Sequence, residues 1–139
     1  MSKPLFKKIT IVGVGLIGGS LGLAIKKRNL AKFVVGVVRR EKSAIEAVEA
    51  KAVDMATLEL GNGVQGADLV ILAGPISTII LHIEQIGRGD PAGRPYIQRG
   101  AIVMDVGSSK AQINKIASRY FNKNFVGCHP MAGSETGPQ

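Results

Sequence analysis

The chain has 139 residues, of which 45% are hydrophobic and 20% charged, so it can bury the core of one ordinary domain but not a separate substrate-binding half as well. The formal net charge of +8 arises before Ser43, where ten lysines and arginines accompany one acid, Glu41. This excess suits an anionic small ligand, and we expect no nucleic-acid partner, because only six aromatic residues are present and no basic run is interleaved with them.

The start of the chain resembles an export or membrane signal only superficially. The uncharged segment Ile9–Ile25 follows three lysines, but five glycines, Thr10 and Ser20 dilute its hydrophobicity. Its seventeen residues lie at the bottom of the spanning range of roughly 17–25, and no clear small-residue cleavage site precedes Lys26. We therefore expect no membrane partner. The single cysteine, Cys128, excludes an internal disulfide and fits a reducing, cytoplasmic location.

Strands and helices alternate along the chain. Short β-branched runs predict buried strands, and apolar residues three and four apart predict amphipathic helices. In chain order the predicted elements are strand Ile9–Val12, helix Leu16–Arg28, strand Phe33–Val38, helix Glu41–Lys51, loop Gly61–Gly66, strand Asp68–Ala73, helix Gly74–Ile86, loop Gly87–Gly100, strand Ala101–Val106, helix Ser109–Tyr120 and strand Phe125–Gly127. This alternation predicts one α/β domain over residues 1–139, with a doubly wound, mainly parallel sheet and helices on both faces.

Gly74 and Pro75 open the predicted helix that follows Ala73, because a proline in the first turn loses no hydrogen bond. Isoleucines at helical spacing define the apolar face of this helix, and His82 falls on the opposite, polar face. We interpret His82 as a solvated side chain.

The segment Gly13–Gly18 reads GVGLIG and matches the dinucleotide-binding fingerprint. Its first glycine allows a tight turn, its second lets the backbone approach a pyrophosphate, and its third lets helix and strand pack closely. The segment follows a predicted strand and opens a predicted helix, so the context favours a Rossmann-type cofactor site over glycine-rich packing alone. The predicted pyrophosphate-binding residues are Gly13, Gly15, Leu16, Ile17 and Gly18.

The end of the second predicted strand indicates which dinucleotide binds. An NAD-binding fold usually has Asp or Glu about 20 residues beyond the glycines, where the carboxylate accepts a hydrogen bond from the ribose 2′-hydroxyl. Here Arg39 and Arg40 occupy that region, and no carboxylate occurs before Glu41. Two guanidinium groups can pair with a 2′-phosphate, so NADP is favoured over NAD. The alternative is that both arginines form a solvated basic corner.

Two later strand ends carry polar groups, in the segments Asp105–Lys110 and His129–Glu135. In a doubly wound sheet, these loops face the nicotinamide end of a cofactor that is held by the first turn. A histidine there can act as a base near neutral pH, and a serine can orient the histidine or a substrate hydroxyl. No metal site is predicted.

With these segments the chain resembles the prephenate/arogenate dehydrogenase family of tyrosine biosynthesis. The matching segments occur in order and are Val12–Ser20, Ala67–Ala73, Asp105–Lys110 and Val126–Glu135. The resemblance implies an NAD(P)-dependent oxidative decarboxylation of prephenate to 4-hydroxyphenylpyruvate, or of arogenate to tyrosine. The substrate would be one of these two small molecules, and the sequence does not choose between them.

The resemblance also implies roles for individual residues. His129 would accept the hydroxyl proton, Ser108 would hydrogen-bond the histidine and the substrate, and Glu135 would line the substrate pocket. For Asp105 and Lys110, a functional role and a purely structural one both remain open. Further residues expected at the edge of the cofactor site are Ala73, Gly74, Pro75 and Gly107.

The resemblance further implies a helical domain that dimerises and contributes contacts to the substrate carboxylate. The sequence ends at Gln139, soon after the last matching segment, so we expect a cofactor-binding domain that is an incomplete enzyme by itself. A homodimer is expected only together with the helical domain. The alternative function is a non-catalytic NADP-binding module that senses redox state.

Overall fold

The computed structural model describes residues 3–107, 110–121 and 123–128. These residues form a six-stranded sheet in which every neighbouring pair of strands is parallel. The strands are β1 Phe6–Val12, β2 Ala31–Val37, β3 Met55–Thr57, β4 Leu69–Leu72, β5 Ile102–Asp105 and β6 Phe125–Gly127. The helices are α1 Leu16–Lys27, α2 Glu41–Glu49, α3 Leu60–Val64, α4 Ile76–Arg88 and α5 Lys110–Tyr120.

The strand order is β3-β2-β1-β4-β5-β6, which is the order of a doubly wound dinucleotide-binding sheet. The direction of winding reverses between β1 and β4, which are adjacent although β2 and β3 separate them in sequence. The predicted α/β fold with a parallel sheet is confirmed. Ligands of such sheets bind beyond the carboxyl ends of the strands at this reversal.

Residues of the central strands enter two separate hydrophobic cores, because side chains along a strand point to opposite faces. Ile9 and Ile11 of β1 lie in one core with Ile25 of α1 and Ala47 of α2. Val12, the last residue of β1, lies in the other core. That second core also contains the buried faces of α4 and α5, so helices cover both faces of the sheet as predicted: Ile79, Ile83, Ile86, Ile113 and Ala117.

The predicted loop at Gly61–Gly66 is partly wrong, because α3 forms there and β3 precedes it. Neither element carries a strong sequence signal, since β3 has three residues and α3 reads LGNGV, with two glycines that disfavour a helix. Tertiary contacts hold α3 in place instead. The buried Thr10 Oγ1 donates a 2.6 Å hydrogen bond to the Gly63 carbonyl, and Gly63 packs so closely on Val37 that no side chain would fit.

Several predicted boundaries also shift. Strand β1 begins at Phe6 and β2 at Ala31, both earlier than predicted, because partly exposed residues at their starts still pair in the ladder. Helix α4 begins at Ile76 with Pro75 as its N-cap, and it continues to Arg88, so the following loop begins at Gly89 rather than Gly87.

The glycine-rich segment after α4 is an ordered loop attached to the domain. Gly89 has φ +83° and packs against the loop's own backbone. Asp90 Oδ1 accepts two backbone N–H groups of the loop, at 2.8 and 2.9 Å. The ring of Tyr96 lies on Gly61 of α3, where a Cβ would stand 2.7 Å from the ring. Gly89 of the loop therefore serves a turn, and Gly61 of α3 leaves room for a close contact with the loop.

Candidate functional site

The glycine turn after β1 has the backbone geometry that the fingerprint requires. Gly13 has φ +97°, donates its N–H to the Val37 carbonyl at 2.9 Å, and leaves no room for a side chain, since a Cβ would stand 3.0 Å from the Gly74 nitrogen. A Cβ at Gly18 would collide with the Gly13 carbonyl oxygen. In contrast, no described atom outside the turn comes within 4 Å of a Cβ placed at Gly15. Gly13 and Gly18 are thus needed for packing, whereas Gly15 is open towards a ligand.

Helix α1 begins directly after this turn and supplies hydrogen-bond donors. Gly15 is its N-cap, and no described side chain caps its first N–H groups. Its first turn has no acidic residue. Uncapped N–H groups and the helix dipole favour an anion at this position, so the turn fits a pyrophosphate.

Leu16 and Ile17 form the first turn of α1 with exposed side chains, 89% and 44% accessible respectively. Their backbone N–H groups belong to the uncapped first turn of α1, which is where the predicted set places them.

A cleft of about 640 Å³ opens beside the glycine turn, between the ends of β2 and β4. Arg39 and Arg40 line it on the β2 side, and Gly74 and Pro75 line it on the β4 side. The described residues that line this cleft include no aspartate or glutamate. The cleft therefore has the charge that suits a phosphorylated ribose and offers no carboxylate for a 2′-hydroxyl.

The structure brings six of the eleven predicted cofactor residues together in this cleft: Gly13, Gly15, Arg39, Arg40, Gly74 and Pro75. Leu16, Ile17 and Gly18 belong to the adjoining start of α1. Ala73 is tied to the end of β1 through a 2.9 Å hydrogen bond from its N–H to the Val12 carbonyl. Gly107 follows the carboxyl end of β5, the strand next to β4 in the sheet.

The interpretation of His82 as a solvated side chain is wrong. His82 is half-buried and lines the cleft, together with Thr78 one turn earlier on α4. Burial, and secondarily the positive charge of Arg39, lower the pKa of His82 below its ordinary value of 6.5. Sequence reasoning found the polar face of α4 but could not show what that face meets. One feature of the sequence could have indicated this position. Thr78 and His82 are four residues apart, so they lie on one face of a helix, and that helix begins next to Gly74 and Pro75, which were predicted to contact the cofactor.

Asp105, at the end of β5, is completely buried and makes several hydrogen bonds. Its Oδ2 accepts the Gly107 N–H at 2.8 Å and the Lys110 ammonium at 2.6 Å, and its main-chain carbonyl accepts the Cys128 N–H at 2.9 Å. Its Oδ1 is buried without a hydrogen-bond partner among the described residues. Asp105 therefore anchors the turn after β5 and joins it to the end of β6, and Lys110 is its largely buried counter-ion.

The predicted catalytic residues His129 and Ser108 and the predicted substrate residue Glu135 lie outside the described residues. The described residues that directly precede Ser108 and His129 show where these two segments begin. Gly107 follows β5 and Cys128 follows β6, and these strands are adjacent and parallel, with Asp105 opposite Gly127. Both segments thus follow the carboxyl ends of their strands, at the same end of the sheet as the glycine turn.

A second cavity, of about 860 Å³, lies between α3, α4 and the loop after α4. Sequence reasoning did not anticipate it. Its charged groups are largely paired, since Arg94 donates to Asp90 at 2.8 Å and Arg88 lies 4.0 Å from Glu84. None of the predicted site residues lines it. The described residues contain no cluster of three or more histidine, cysteine or acidic side chains that could hold a metal ion.

The strand order, the glycine turn and the basic cleft together define a dinucleotide-binding domain. A family model described as "Prephenate dehydrogenase, nucleotide-binding domain" matches residues 21–139. This chain belongs to that family.

Individual relatives agree with this assignment. The prephenate dehydrogenase of Lactococcus lactis is 37% identical over 131 residues, which cover 92% of this chain and 35% of the relative. The crystal structure of a prephenate dehydrogenase from A. aeolicus, in complex with hydroxyphenyl propionate and NAD+, superimposes with a TM-score of 0.79 at 26% identity, over 93% of this chain and 43% of that one.

The crystal structure of Synechocystis arogenate dehydrogenase gives a TM-score of 0.72 at 33% identity, over 88% of this chain and 40% of that one. The chain thus spans less than half the length of each of these three relatives. In the described part of the chain, no helix has both the length and the apolar character needed to cross a membrane.

Proposed function

We propose that this chain is the cofactor-binding domain of a dehydrogenase that oxidatively decarboxylates prephenate or arogenate, and that its preferred cofactor is NADP. One observation carries the proposal. Three segments begin at the same end of one parallel sheet, where the strands have their carboxyl ends. They are the glycine turn after β1 and the two segments after β5 and β6 that bear the predicted catalytic residues. A hydride acceptor and a proton acceptor must both reach the same substrate carbon and its hydroxyl, so they need this proximity.

The reaction removes a hydride and carbon dioxide from the substrate, and the ring becomes aromatic. The proton that leaves the ring hydroxyl returns to the same oxygen when loss of carbon dioxide converts the ring carbonyl into a phenol hydroxyl. The bound nicotinamide supplies the hydride acceptor. His129 takes the proton of the ring hydroxyl as that oxygen becomes a carbonyl, and Ser108 hydrogen-bonds the histidine and the hydroxyl. Glu135 lines the pocket around the substrate. Because aromatisation drives the reaction, the task of these residues is to orient the substrate and accept one proton.

His129→Asn tests this assignment in the intact protein. The substitution keeps a polar side chain of similar size but removes the base, so turnover should fall by on the order of 10²–10⁴-fold while cofactor affinity is unchanged. An unchanged turnover would refute the role of His129. Absence of turnover in the unsubstituted protein with either substrate, combined with NADP binding, would instead support a redox-sensing module.

The NADP preference depends on Arg39 and Arg40, which line the cleft beside the glycine turn without an accompanying carboxylate. Hydrogen bonds to charged groups contribute roughly 1.5–3 kcal/mol each, so loss of both should weaken NADP binding at least about 100-fold. Calorimetric titration of Arg39→Ala/Arg40→Ala with both cofactors measures this. NAD affinity should change by no more than a few-fold.

Lys42→Ala is the matched control, because Lys42 is an exposed cation two residues further along that does not line the cleft. It should leave the affinities for NADP and NAD unchanged. Equal weakening of both cofactors by the double arginine substitution would contradict the 2′-phosphate role.

We further propose a cytoplasmic homodimer, formed through the helical domain that the family resemblance implies. The lone cysteine supports a reducing compartment, since a chain with one thiol forms no internal disulfide. Light scattering of the intact protein tests the dimer, and a monomer at micromolar concentration would contradict it.

A further inference from the structure

His82 is the titratable group of the cleft that the proposed function leaves unused. It lies on the same face of α4 as Thr78, and both residues line the cleft opposite Arg39 and Arg40. The side chain is half-buried. An imidazole in this place can carry a positive charge towards a bound anion or can remain a neutral hydrogen-bonding group.

The other groups around His82 determine which state the free protein prefers. The end of β2 contributes the two guanidinium groups, whereas α2 and α3 contribute the uncharged Ser43 and Leu60. On α4 itself, Glu84 and Arg88 lie 4.0 Å apart, and neither lines the cleft. In the described part of the cleft, His82 therefore faces cations without a neighbouring carboxylate.

This arrangement opposes a charged imidazole in the free protein. Burial and the charge of Arg39 both act in that direction, and they lower the pKa of His82. A phosphate bound in the same cleft reverses the balance, because it is a dianion at neutral pH and an opposite charge nearby raises the pKa of a histidine by about 1–3 units.

We propose that His82 is the proton-coupled member of the 2′-phosphate site, neutral in the free protein and protonated when NADP is bound. The proton comes from solvent, and no covalent bond changes. The inference rests on the proposed NADP preference and makes that preference dependent on pH. NADP binds more tightly as the pH falls, whereas NAD, which lacks the 2′-phosphate, binds equally across the same range.

The test is the affinity of the intact protein for NADP and for NAD between pH 6.5 and 8.5, in the unsubstituted protein and in His82→Gln. From pH 6.5 to 8.5 the unsubstituted protein should lose about 10-fold more NADP affinity than His82→Gln, since one proton is coupled to binding. Titration of the phosphate itself is common to both proteins and cancels in the comparison. Both proteins should bind NAD without this pH dependence.

Two further measurements sharpen the result. Calorimetric titration at pH 7.5, in two buffers with different ionisation enthalpies, should detect proton uptake with NADP, and this uptake should vanish in His82→Gln. His82→Lys carries a permanent cation, so it should retain NADP affinity and lose the pH dependence. Unchanged NAD affinity in both variants shows that the cleft is intact.

The two hypotheses fail in different ways. If the unsubstituted protein prefers NADP but its pH profile matches that of His82→Gln, the role of His82 is wrong and the NADP site stands. If NADP is not preferred at any pH, or if Arg39→Ala/Arg40→Ala weakens both cofactors equally, the 2′-phosphate site is refuted and the inference fails with it.

Discussion

Lys110→Met probes the buried ion pair beneath the two segments that bear Ser108 and His129. The Lys110 ammonium lies 2.6 Å from Asp105 Oδ2, and the two side chains are 18% and 0% exposed. Removing the cation leaves a fully buried carboxylate whose one remaining hydrogen bond among the described residues comes from the main-chain N–H of Gly107. Removing one member of a buried pair costs about 3–5 kcal/mol.

The expected shift in melting temperature follows from the size of the chain. At about 2.1 cal/mol/K per residue, 139 residues have an unfolding entropy of about 290 cal/mol/K. A loss of about 3–5 kcal/mol therefore lowers the melting temperature by about 10–17 °C, which thermal unfolding followed by circular dichroism measures.

Lys26→Met is the matched control, because it breaks an ion pair of the same length in an exposed setting. Lys26 and Asp54 are also 2.6 Å apart, but their side chains are 30% and 31% exposed, so about 1 kcal/mol or less should be lost. The double variant Asp105→Asn/Lys110→Met removes both charges and should be more stable than Lys110→Met alone. Equal destabilisation by Lys110→Met and Lys26→Met would refute the reasoning from burial.

Two other predictions concern the glycine turn and the cleft histidine. Gly18→Ala places a methyl group against the Gly13 carbonyl oxygen, so it should destabilise the domain and abolish NADP binding. In contrast, the methyl group of Gly19→Ala meets no described atom within 4 Å, so this variant should stabilise α1 by up to about 1 kcal/mol. Chemical denaturation measures the stability of both variants, and cofactor titration measures their affinity for NADP. A stable Gly18→Ala that binds NADP would contradict the close packing. Since the pKa of His82 is lower in the folded than in the unfolded protein, His82 contributes stability above pH 6.5 that is lost as the pH falls through its folded pKa. The unfolding free energy should therefore decrease less between pH 7.5 and 5 in His82→Gln, and parallel curves would count against the lowered pKa.

The amino-acid sequence by itself determined the class of fold and the place of the cofactor turn. Ile9–Val12 and Asp68–Ala73 are short, largely apolar runs typical of a buried strand, and the spacing of Gly13, Gly15 and Gly18 encodes a local backbone geometry. Such signals are local, so they survive in the sequence. The segments after β5 and β6 were likewise recognisable as short motifs with a family resemblance.

The tertiary structure alone decided which side chains share an environment. Helix α3 exists because Thr10 and Val37, distant in sequence, pack on Gly63, and its own residues disfavour a helix. The sequence alone indicated that His82 is a solvated polar residue, whereas in the folded chain His82 and Arg39 line the same cleft. Burial and charge at a site are sums over residues far apart in the chain, and no single segment of the sequence contains them.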